Sequence, residues 1–298
     1  MKVLVTGANG QVGRALLRAR PSDVEFVGLT HHELDIADDQ VVAACLRQHR
    51  PGVIVNAAAY TAVDRAESEP DLAARVNAQG PANLAKMARS IGARLLQLST
   101  DFVFDGLSSR PYQPDSAAHP LSVYGRTKLD GEHAVRALLP DRSVVLRTAW
   151  VYAPEGRNFV QTMLRLMRKN GAVRVVCDQI GSPTAARSVA EVLWRIIARN
   201  ELTGTHHWSD AGVASWFDFA VAIAEEAFAV HLLPEEPTVT PIRTEEYPTP
   251  ARRPAYSVLD KVSLADLGVD TVHWRKVLRS ALGEIARAER SLPEQTGA

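Results

Sequence analysis

The amino-acid sequence predicts an α/β protein built on a doubly wound parallel sheet. Short apolar runs rich in valine, isoleucine and leucine recur along the chain, and such runs are typical of strands buried on both faces. Segments with helical periodicity separate these runs, so the strands can join one parallel sheet through right-handed crossovers. The apolar runs cover residues 3–5, 25–29, 53–55, 94–98, 144–146 and 173–176, and the helical segments cover residues 12–19, 40–48, 71–90, 121–138 and 159–170.

The alternation of strands and helices ends near residue 176. Helical patterns remain over residues 188–198, 215–228 and 274–290. Residues 234–254 are rich in proline, which cannot donate a backbone hydrogen bond, so this stretch is predicted to be an extended loop. We therefore predict a larger domain over residues 1–176 and a smaller, discontinuous C-terminal lobe over residues 177–298, with some segments that return to the sheet.

Composition excludes several classes of partner. Lysine plus arginine equals aspartate plus glutamate at 34 each, so no long-range field favours nucleic acid or a membrane surface. The two cysteines, Cys45 and Cys177, lack metal-ligand spacing and fit a reducing compartment. The chain enters a strand pattern at once, without a leader segment, and contains no apolar run of membrane-spanning length. These features predict a soluble cytoplasmic protein.

A glycine-rich segment follows the first predicted strand and opens the first helix. Gly7, Gly10 and Gly13 can keep this turn tight and bring the backbone close to a pyrophosphate, whose charge the helix N-terminus stabilises. A purely structural turn is the alternative interpretation. In this context the segment predicts a dinucleotide site, which also includes Gln11 and Val12.

The end of the second strand bears on the choice of dinucleotide. An acidic side chain at this position usually accepts hydrogen bonds from a free ribose 2′-hydroxyl. Here the position falls near Thr30, and no carboxylate precedes Glu33. A 2′-phosphate would meet no repulsion, and a protonated His31 or His32 could attract it; two solvated loop histidines are the equal alternative. NADPH is therefore the favoured cofactor, with NADH as a possible second donor.

Two further segments complete the predicted cofactor site. Asp35 and Ile36 follow the second strand and could hold the adenine ring. The third strand ends in small side chains, which suggests that the cofactor lies flat against the backbone there; close helix packing is the alternative. The residues at this strand end are Ala57, Ala58, Ala59 and Tyr60.

A tyrosine and a lysine on the fourth long helical segment are the predicted catalytic pair. Tyr124 and Lys128 are four residues apart, which places them on one helix face at about 6 Å. An ammonium beside a phenol is expected to lower the phenol's pKa from about 10 towards the working range of a proton donor. Thr100, at the end of the fourth strand, is predicted to orient and polarise a ketone. Asp101 either assists or only fixes the loop.

Taken together, these motifs resemble the extended short-chain dehydrogenase/reductase family, and within it the dTDP-4-dehydrorhamnose reductases. The resemblance covers nearly the whole chain. It rests on the glycine loop and on residues 56–64 (NAAAYTAVD), 99–106 (STDFVFDG), 124–132 (YGRTKLDGE), 147–152 (RTAWVY), 158–159 (NF), 178–184 (DQIGSPT) and 247–254 (YPTPARRP).

The resemblance implies a Rossmann-like fold and a nucleotide-sugar substrate. The implied reaction transfers hydride from NADPH or NADH to the C4 ketone of dTDP-4-dehydro-L-rhamnose, giving dTDP-L-rhamnose for cell-surface polysaccharide. Asp101 and Phe102 would contact the sugar, and Trp150 would pack against it, unless Trp150 is a core residue. Arg252 or Arg253 would bind the pyrophosphate, with a surface salt bridge as the alternative for either.

Departures from the family pattern limit what the resemblance implies. Phe102 stands where the family often has tyrosine. Ala15 stands where some members have a glutamate that links a dimer through a metal, so no metal is expected, and both a monomer and a homodimer stay open.

Two other functions remain possible on the sequence. A related 4,6-dehydratase or epimerase would use the same tyrosine and lysine, but a dehydratase needs a second acid after Asp101, where this chain has Phe102. A non-catalytic, reductase-like regulatory subunit would not need Thr100, Tyr124 and Lys128 intact.

Overall fold

The computed structural model describes residues 1–291, whereas residues 292–298, the end of the predicted C-terminal lobe, lie outside the described residues. The strands are β1 Lys2–Thr6, β2 Glu25–Leu29, β3 Val53–Asn56, β4 Arg94–Thr100, β5 Ser143–Thr148, β6 Val151–Tyr152, β7 Ala172–Val176, β8 Ile180–Gly181, β9 Thr184–Ala185, β10 Gly204–His207, β11 Ala214–Ser215 and β12 Thr238–Ile242. The α-helices are α1 Gln11–Arg18, α2 Asp39–His49, α3 Val63–Ala66, α4 Pro70–Ala74, α5 Gly80–Ile91, α6 Val123–Leu138, α7 Phe159–Asn170, α8 Ala186–Ile197, α9 Trp216–Ala229 and α10 Trp274–Ser291.

The predicted doubly wound parallel sheet is confirmed. Six strands pair in the order β10-β5-β4-β3-β1-β2, and every pairing is parallel. Strands β3, β4 and β5 are buried along their whole length, as their apolar sequences require. The direction of winding reverses between β1 and β3, and ligands bind beyond the carboxyl ends of strands at such a point.

Helices cover both faces of the sheet. Helices α1 and α8 pack together on one face, where Leu16 and Leu193 are buried. Helices α2, α5 and α6 pack on the other, around Leu46, Leu84 and Val135. The described residues include no helix that combines the length and apolarity needed to cross a bilayer.

A separate hydrophobic core holds the C-terminal part of the chain. Helices α7, α9 and α10 pack around buried residues that include Met163, Phe219 and Leu278. Helix α7 belongs to this core although it precedes residue 176, and the division into two domains at that residue stays a prediction.

Two sequence predictions about strands were wrong in part. Residues 173–176 do form a strand, but β7 pairs with β12 in a separate two-stranded sheet. Alternate residues of β7 are exposed, so the strand buries one face and does not suit the centre of a doubly wound sheet. The sixth strand of the central sheet is instead β10, whose sequence GTHH has no aliphatic run to reveal it.

The proline-rich stretch is not only loop. It contains β12 and a 3-10 turn over Thr244–Glu246. Strand β12 pairs along one edge only, and an edge strand tolerates Pro241 because its other side carries no ladder of hydrogen bonds.

Candidate active site

A cleft of about 910 Å³ opens at the carboxyl ends of the central strands. It collects residues from chain segments as far apart as the first helix and the C-terminal loop. The predicted site residues on its walls are Gly7, Gly10, Gln11, Val12, Asp35, Ile36, Ala57, Ala58, Ala59, Tyr60, Thr100, Asp101, Phe102, Tyr124, Lys128, Trp150 and Arg253. Gly13 and Thr30 were also predicted to bind the cofactor, but neither lies on the cleft wall.

The glycine loop leaves no room for side chains between β1 and α1. A Cβ at Gly7 would lie 2.7 Å from the backbone nitrogen of Ala58, and one at Gly13 would lie 2.4 Å from the carbonyl oxygen of Gly7. Gly7 also has a φ of 67°, which glycine adopts without strain. Gly13 thus supports the loop from behind.

The first turn of α1 is open to a ligand. The N-cap residue is Gly10, so no side chain caps the first amides of the helix. Free amides and the helix dipole together favour an anion at this end. The close backbone packing and the uncapped helix fit the pyrophosphate of a dinucleotide.

The end of β2 differs in one respect from the sequence prediction. The backbone nitrogen and the hydroxyl of Thr30 both donate to the Glu33 carboxylate at 2.8 Å. These two hydrogen bonds hold the pKa of Glu33 below its usual value. A carboxylate therefore does lie at the end of β2. The turn from Thr30 to Glu33 brings it there, and the linear sequence does not show this turn. Two basic side chains, His31 and Arg14, line the cleft nearby.

A buried asparagine fixes the end of β3. The side chain of Asn77 accepts from the backbone nitrogen of Tyr60 at 2.9 Å and donates to its carbonyl oxygen at 3.0 Å. Asn77 lies in a π-helical turn, Arg75–Gln79, between α4 and α5, where one continuous helix was predicted. Its amide also donates to Thr127 on α6 at 3.2 Å, so the π-helical turn links the cofactor wall to the catalytic helix.

Tyr124 stands in the first turn of α6, which the Ser122 side chain caps by accepting from the backbone nitrogen of Gly125 at 3.2 Å. Lys128 follows one turn later on the same face. Its ammonium donates to the carbonyl oxygen of Leu98 at 2.7 Å. Thr100 lies at the end of β4 within hydrogen-bonding reach of Tyr124, and its hydroxyl donates to the Asp101 carboxylate at 3.1 Å.

Burial is the main cause of the pKa shifts of Tyr124, Lys128 and Asp101. It raises the pKa of Tyr124 to about 12, against the opposing effect of hydrogen bonding to Thr100. It lowers the pKa of Lys128 to about 8, although the nearby Glu132 carboxylate acts in the other direction. It also raises the pKa of Asp101 to about 6. At neutral pH the phenol is thus protonated, and most of the lysine is still cationic.

The predicted lowering of the Tyr124 pKa by Lys128 is therefore wrong for this geometry. The ammonium points to the carbonyl of Leu98, and desolvation of the phenolate outweighs any attraction to it.

A buried ion pair lies behind the catalytic helix. Glu132 and Arg147 are almost fully buried and form a bidentate pair, with distances of 2.7 Å from Nη2 and 3.0 Å from Nε. Ser99 on β4 donates to the same carboxylate. Because a buried charge is costly without its partner, this pair fixes how α6 sits on β4 and β5. It thereby sets the positions of Tyr124 and Lys128.

Two aromatic pairs line the cleft. The ring of Phe102 meets Tyr124 edge to face, with ring centroids 5.7 Å apart. Trp150 stacks on Trp216, with centroids 3.5 Å apart and planes 4° apart. Trp150 is therefore a half-buried residue of the cleft and not a core residue.

Arg253 lies on the cleft wall and already forms an ion pair with another residue of the chain. Its guanidinium binds the Asp64 carboxylate with two contacts of 3.0 and 2.8 Å, and it donates to Thr249 at 2.6 Å. The pairing lowers the pKa of Asp64. The predicted salt bridge is present, while the contact of Arg253 with a pyrophosphate stays a prediction. Arg252 is not on the cleft wall.

Sequence reasoning missed several residues of the site, among them Arg14, Asn77 and Trp216. Arg14 lies on the exposed face of α1, and Asn77 lies inside a helix predicted to be regular. Trp216 follows Ser215, whose spacing to Asp218 marks a helix start. This signal locates the helix but does not show that its first residue enters the cleft.

Comparison with known proteins shows which family this chain belongs to. The family model described as the RmlD substrate binding domain matches residues 1–287. This chain belongs to the RmlD family. The match spans the glycine loop, the catalytic helix and the C-terminal segment that carries Arg253.

Individual known proteins also match this chain over nearly their full length. A dTDP-4-dehydrorhamnose reductase of Streptomyces griseus is 43% identical, covering 97% of this chain and 96% of the relative. A probable dTDP-4,6-dihydroxy-2-methyloxan-3-one 4-ketoreductase of Streptomyces antibioticus is also 43% identical, covering 100% of both chains. The crystal structure of the Bacillus anthracis dTDP-4-dehydrorhamnose reductase in complex with NADP is 36% identical, covers 95% of this chain and 99% of that chain, and superposes with a TM-score of 0.89.

Proposed function

We propose that this chain reduces the C4 ketone of dTDP-4-dehydro-L-rhamnose with NADPH, giving dTDP-L-rhamnose for cell-surface polysaccharide, and that NADH can replace NADPH. The observation that carries this proposal is the placement of Thr100, Tyr124 and Lys128 in the same cleft as the glycine loop. The S. griseus and B. anthracis relatives support the choice of substrate and cofactor through their names.

The chain's own residues fit the cofactor. The glycine loop and the uncapped N-terminus of α1 would hold the pyrophosphate. The small side chains from Ala57 to Ala59 would let the rings lie against the backbone, and Asp35 and Ile36 line the adenine end. When bound, the cofactor supplies the hydride that reduces the ketone carbon.

Tyr124 donates the proton that completes the reduction. As the ketone carbon gains hydride, its oxygen becomes far more basic than a phenolate, so a phenol with a pKa of about 12 can protonate it. The carbon–oxygen double bond becomes a secondary alcohol, and Tyr124 is left as phenolate. Lys128 carries the compensating positive charge one helical turn away, and the Thr100 hydroxyl can donate to the same oxygen.

A single substitution tests the role of Tyr124. Removing the phenolic hydroxyl in Tyr124→Phe takes away the positioned acid, and kcat is expected to fall at least about a hundredfold. The assay follows NADPH and NADH oxidation with dTDP-4-dehydro-L-rhamnose generated in situ. Tyr152→Phe is the matched control, since the buried Tyr152 hydroxyl has no hydrogen-bond partner among residues 1–291 and lies off the cleft wall. Turnover close to wild type in Tyr124→Phe would refute the assignment.

A second dTDP-linked 4-keto sugar is a candidate substrate. The S. antibioticus relative, named for a different ketosugar, is as similar as the S. griseus reductase. Comparing kcat/KM for the two sugars with the same NADPH supply decides between them. An elimination reaction is less well supported, because Phe102 occupies the position at which a dehydratase needs a second acid. Its ring contacts Tyr124 edge to face and cannot transfer a proton.

The cellular setting is part of the same proposal. The enzyme is expected to work in the cytoplasm, as a monomer or a homodimer. Equal numbers of acidic and basic residues and two free cysteines, Cys45 and Cys177, support this setting. Light scattering coupled to gel filtration decides between the two assemblies.

A further inference from the structure

The main chain at Trp150 adopts an unusual conformation. Three non-glycine residues among positions 1–291 have positive φ, and Trp150 has a φ of 47°. The other two, Arg50 and His231, lie just after α2 and α9, where helices commonly end in this way. Trp150 instead follows strand β5 at the cleft. A bulky residue keeps such a conformation only where its surroundings hold it, and such residues concentrate at functional sites.

The C-terminal part of the chain supplies the contacts that hold Trp150. The backbone nitrogen of Thr184 donates to the carbonyl oxygen of Trp150 at 3.2 Å. Gly181 packs against the indole so closely that a Cβ there would lie 2.6 Å from the ring. Trp216 covers the ring as a parallel stack, with centroids 3.5 Å apart. An isolated aromatic pair prefers an offset or edge-to-face arrangement, so the two main chains must impose this stack.

Trp216 is itself fixed by local structure. It is the first residue of α9, and a capping box between Ser215 and Asp218 sets the start of that helix. Strand β11 ends at Ser215, which pairs with Ile180 of β8, so Trp216 follows directly at the end of this two-stranded sheet. Phe159 supports its ring from α7, with centroids 4.6 Å apart. Trp216 therefore presents its indole to Trp150 from a position that does not depend on the central sheet.

We propose that Trp216 is a positioning residue of the sugar site: by covering the Trp150 indole it holds that ring in place on its left-handed main chain, so that the stacked rings form one apolar wall of the site. Both indoles line the cleft, and so does Phe102, whose ring contacts Tyr124 edge to face. Such a wall takes the C–H face of a deoxysugar and leaves polar contacts to Thr100 and Asp101. The identity of the sugar in this inference rests on the proposed function. The stacking of Trp216 on Trp150 does not depend on that function.

The first measurement tests the stack without any substrate. Two indoles in contact at this distance couple their electronic transitions, so the near-ultraviolet circular dichroism of the intact protein should contain a contribution that neither indole gives alone. The spectral changes in Trp216→Phe and in Trp150→Phe should therefore not add up to the change in the double variant. Phe228→Ala, an exposed aromatic at the other end of α9, is the control and should retain the wild-type tryptophan bands. Strictly additive changes would overturn the inference whatever the enzyme turns over.

The second measurement tests whether Trp216 acts through Trp150. With NADPH saturating, Trp216→Ala should raise KM for the ketosugar nucleotide roughly two- to twelvefold, the range that one aromatic pair contributes. KM for NADPH should stay unchanged, and Trp216→Phe should recover part of the loss because its flat ring can still pack. In a Trp150→Ala background, Trp216→Ala should add little further effect, since its partner is gone.

The outcomes separate the inference from the proposed function. Additive effects of the two substitutions, or an unchanged KM for the sugar nucleotide in Trp216→Ala, would overturn the positioning role while wild-type turnover still supports the reductase. A wild-type enzyme that turns over no dTDP-linked ketosugar would overturn both the proposed function and the substrate role of Trp216. A general loss of structure in Trp216→Ala would show in the thermal midpoint, and Trp216→Phe then decides.

Discussion

The two halves of the cleft are built in different ways. The half proposed to bind the cofactor, called the cofactor half, consists of the Gly7–Gly13 loop and the strand end Ala57–Ala59, and it offers mainly backbone and small side chains. The half proposed to bind the sugar, called the sugar half, consists of Phe102, Trp150, Trp216 and Arg253, and it offers large side chains drawn from distant segments. Close approach of backbone needs a few glycines at fixed spacing, whereas a side-chain wall needs several elements to pack correctly.

This difference indicates which kind of substitution should disrupt each half. The cofactor half should respond to any added atom, because its backbone segments already touch. The sugar half should respond to the loss of a supporting contact, since its rings hold one another in place. Tyr124 and Lys128 lie at the junction, and α6 is held there by the buried pair of Glu132 and Arg147.

Among the changes that compare the two halves, the largest effect is expected from Gly7→Ala in the cofactor half. The new Cβ would press against the backbone of Ala58, and overpacking of this kind costs about 1–3 kcal/mol, or roughly 5- to 150-fold in KM for NADPH. Gly171→Ala is the matched control: Gly171 has a similar φ of 65°, but a Cβ there meets nothing within 4 Å. Equal effects of the two substitutions on NADPH binding would show that strain at φ, and not close approach, governs this half.

An intermediate effect on kcat/KM is expected from raising the pH, which acts through Lys128 at the junction of the two halves. Burial lowers the pKa of Lys128 to about 8, so the ammonium loses its proton as pH rises through that value. The ratio kcat/KM, which reports the free enzyme, should fall roughly tenfold per pH unit above it. Lys128→Arg keeps its charge and should remove this alkaline decline, although its kcat will be lower.

Lys261 provides the control for this pH dependence. Burial also lowers its pKa, but it lies off the cleft wall. Lys261→Arg should leave the alkaline decline in place. A decline that persists in Lys128→Arg would mean that another group controls activity at high pH.

The smallest effect is expected from Glu33 at the adenine end. Glu33→Gln keeps a partner for Thr30 and removes a negative charge from the end of β2. Because the carboxylate is exposed, preference for NADPH over NADH should rise only about two- to fivefold, within the range of exposed charge interactions. Glu25→Gln, at the other end of the same strand, should leave the ratio of kcat/KM for the two cofactors unchanged. An unchanged ratio in Glu33→Gln would place the ribose away from this turn.

The sequence by itself determined the parts that depend on local pattern. Strand β2 and helix α7 occupy residues 25–29 and 159–170 as predicted, because periodicity of apolar residues is a property of neighbours along the chain. The glycine loop and the spacing of Tyr124 and Lys128 are local in the same sense. The order of strands then brings these motifs to one edge of the sheet.

The tertiary structure decided what depends on distant segments. Strand β10 has no aliphatic run and joins the sheet only because β5 offers it an edge. Trp216 enters the cleft through the pairing of β11 with β8, and Arg253 is oriented by Asp64 across the chain. The elements packed around the Tyr124 phenol bury it, and this burial raises its pKa. The four-residue spacing to Lys128, taken alone, had predicted a lowered pKa.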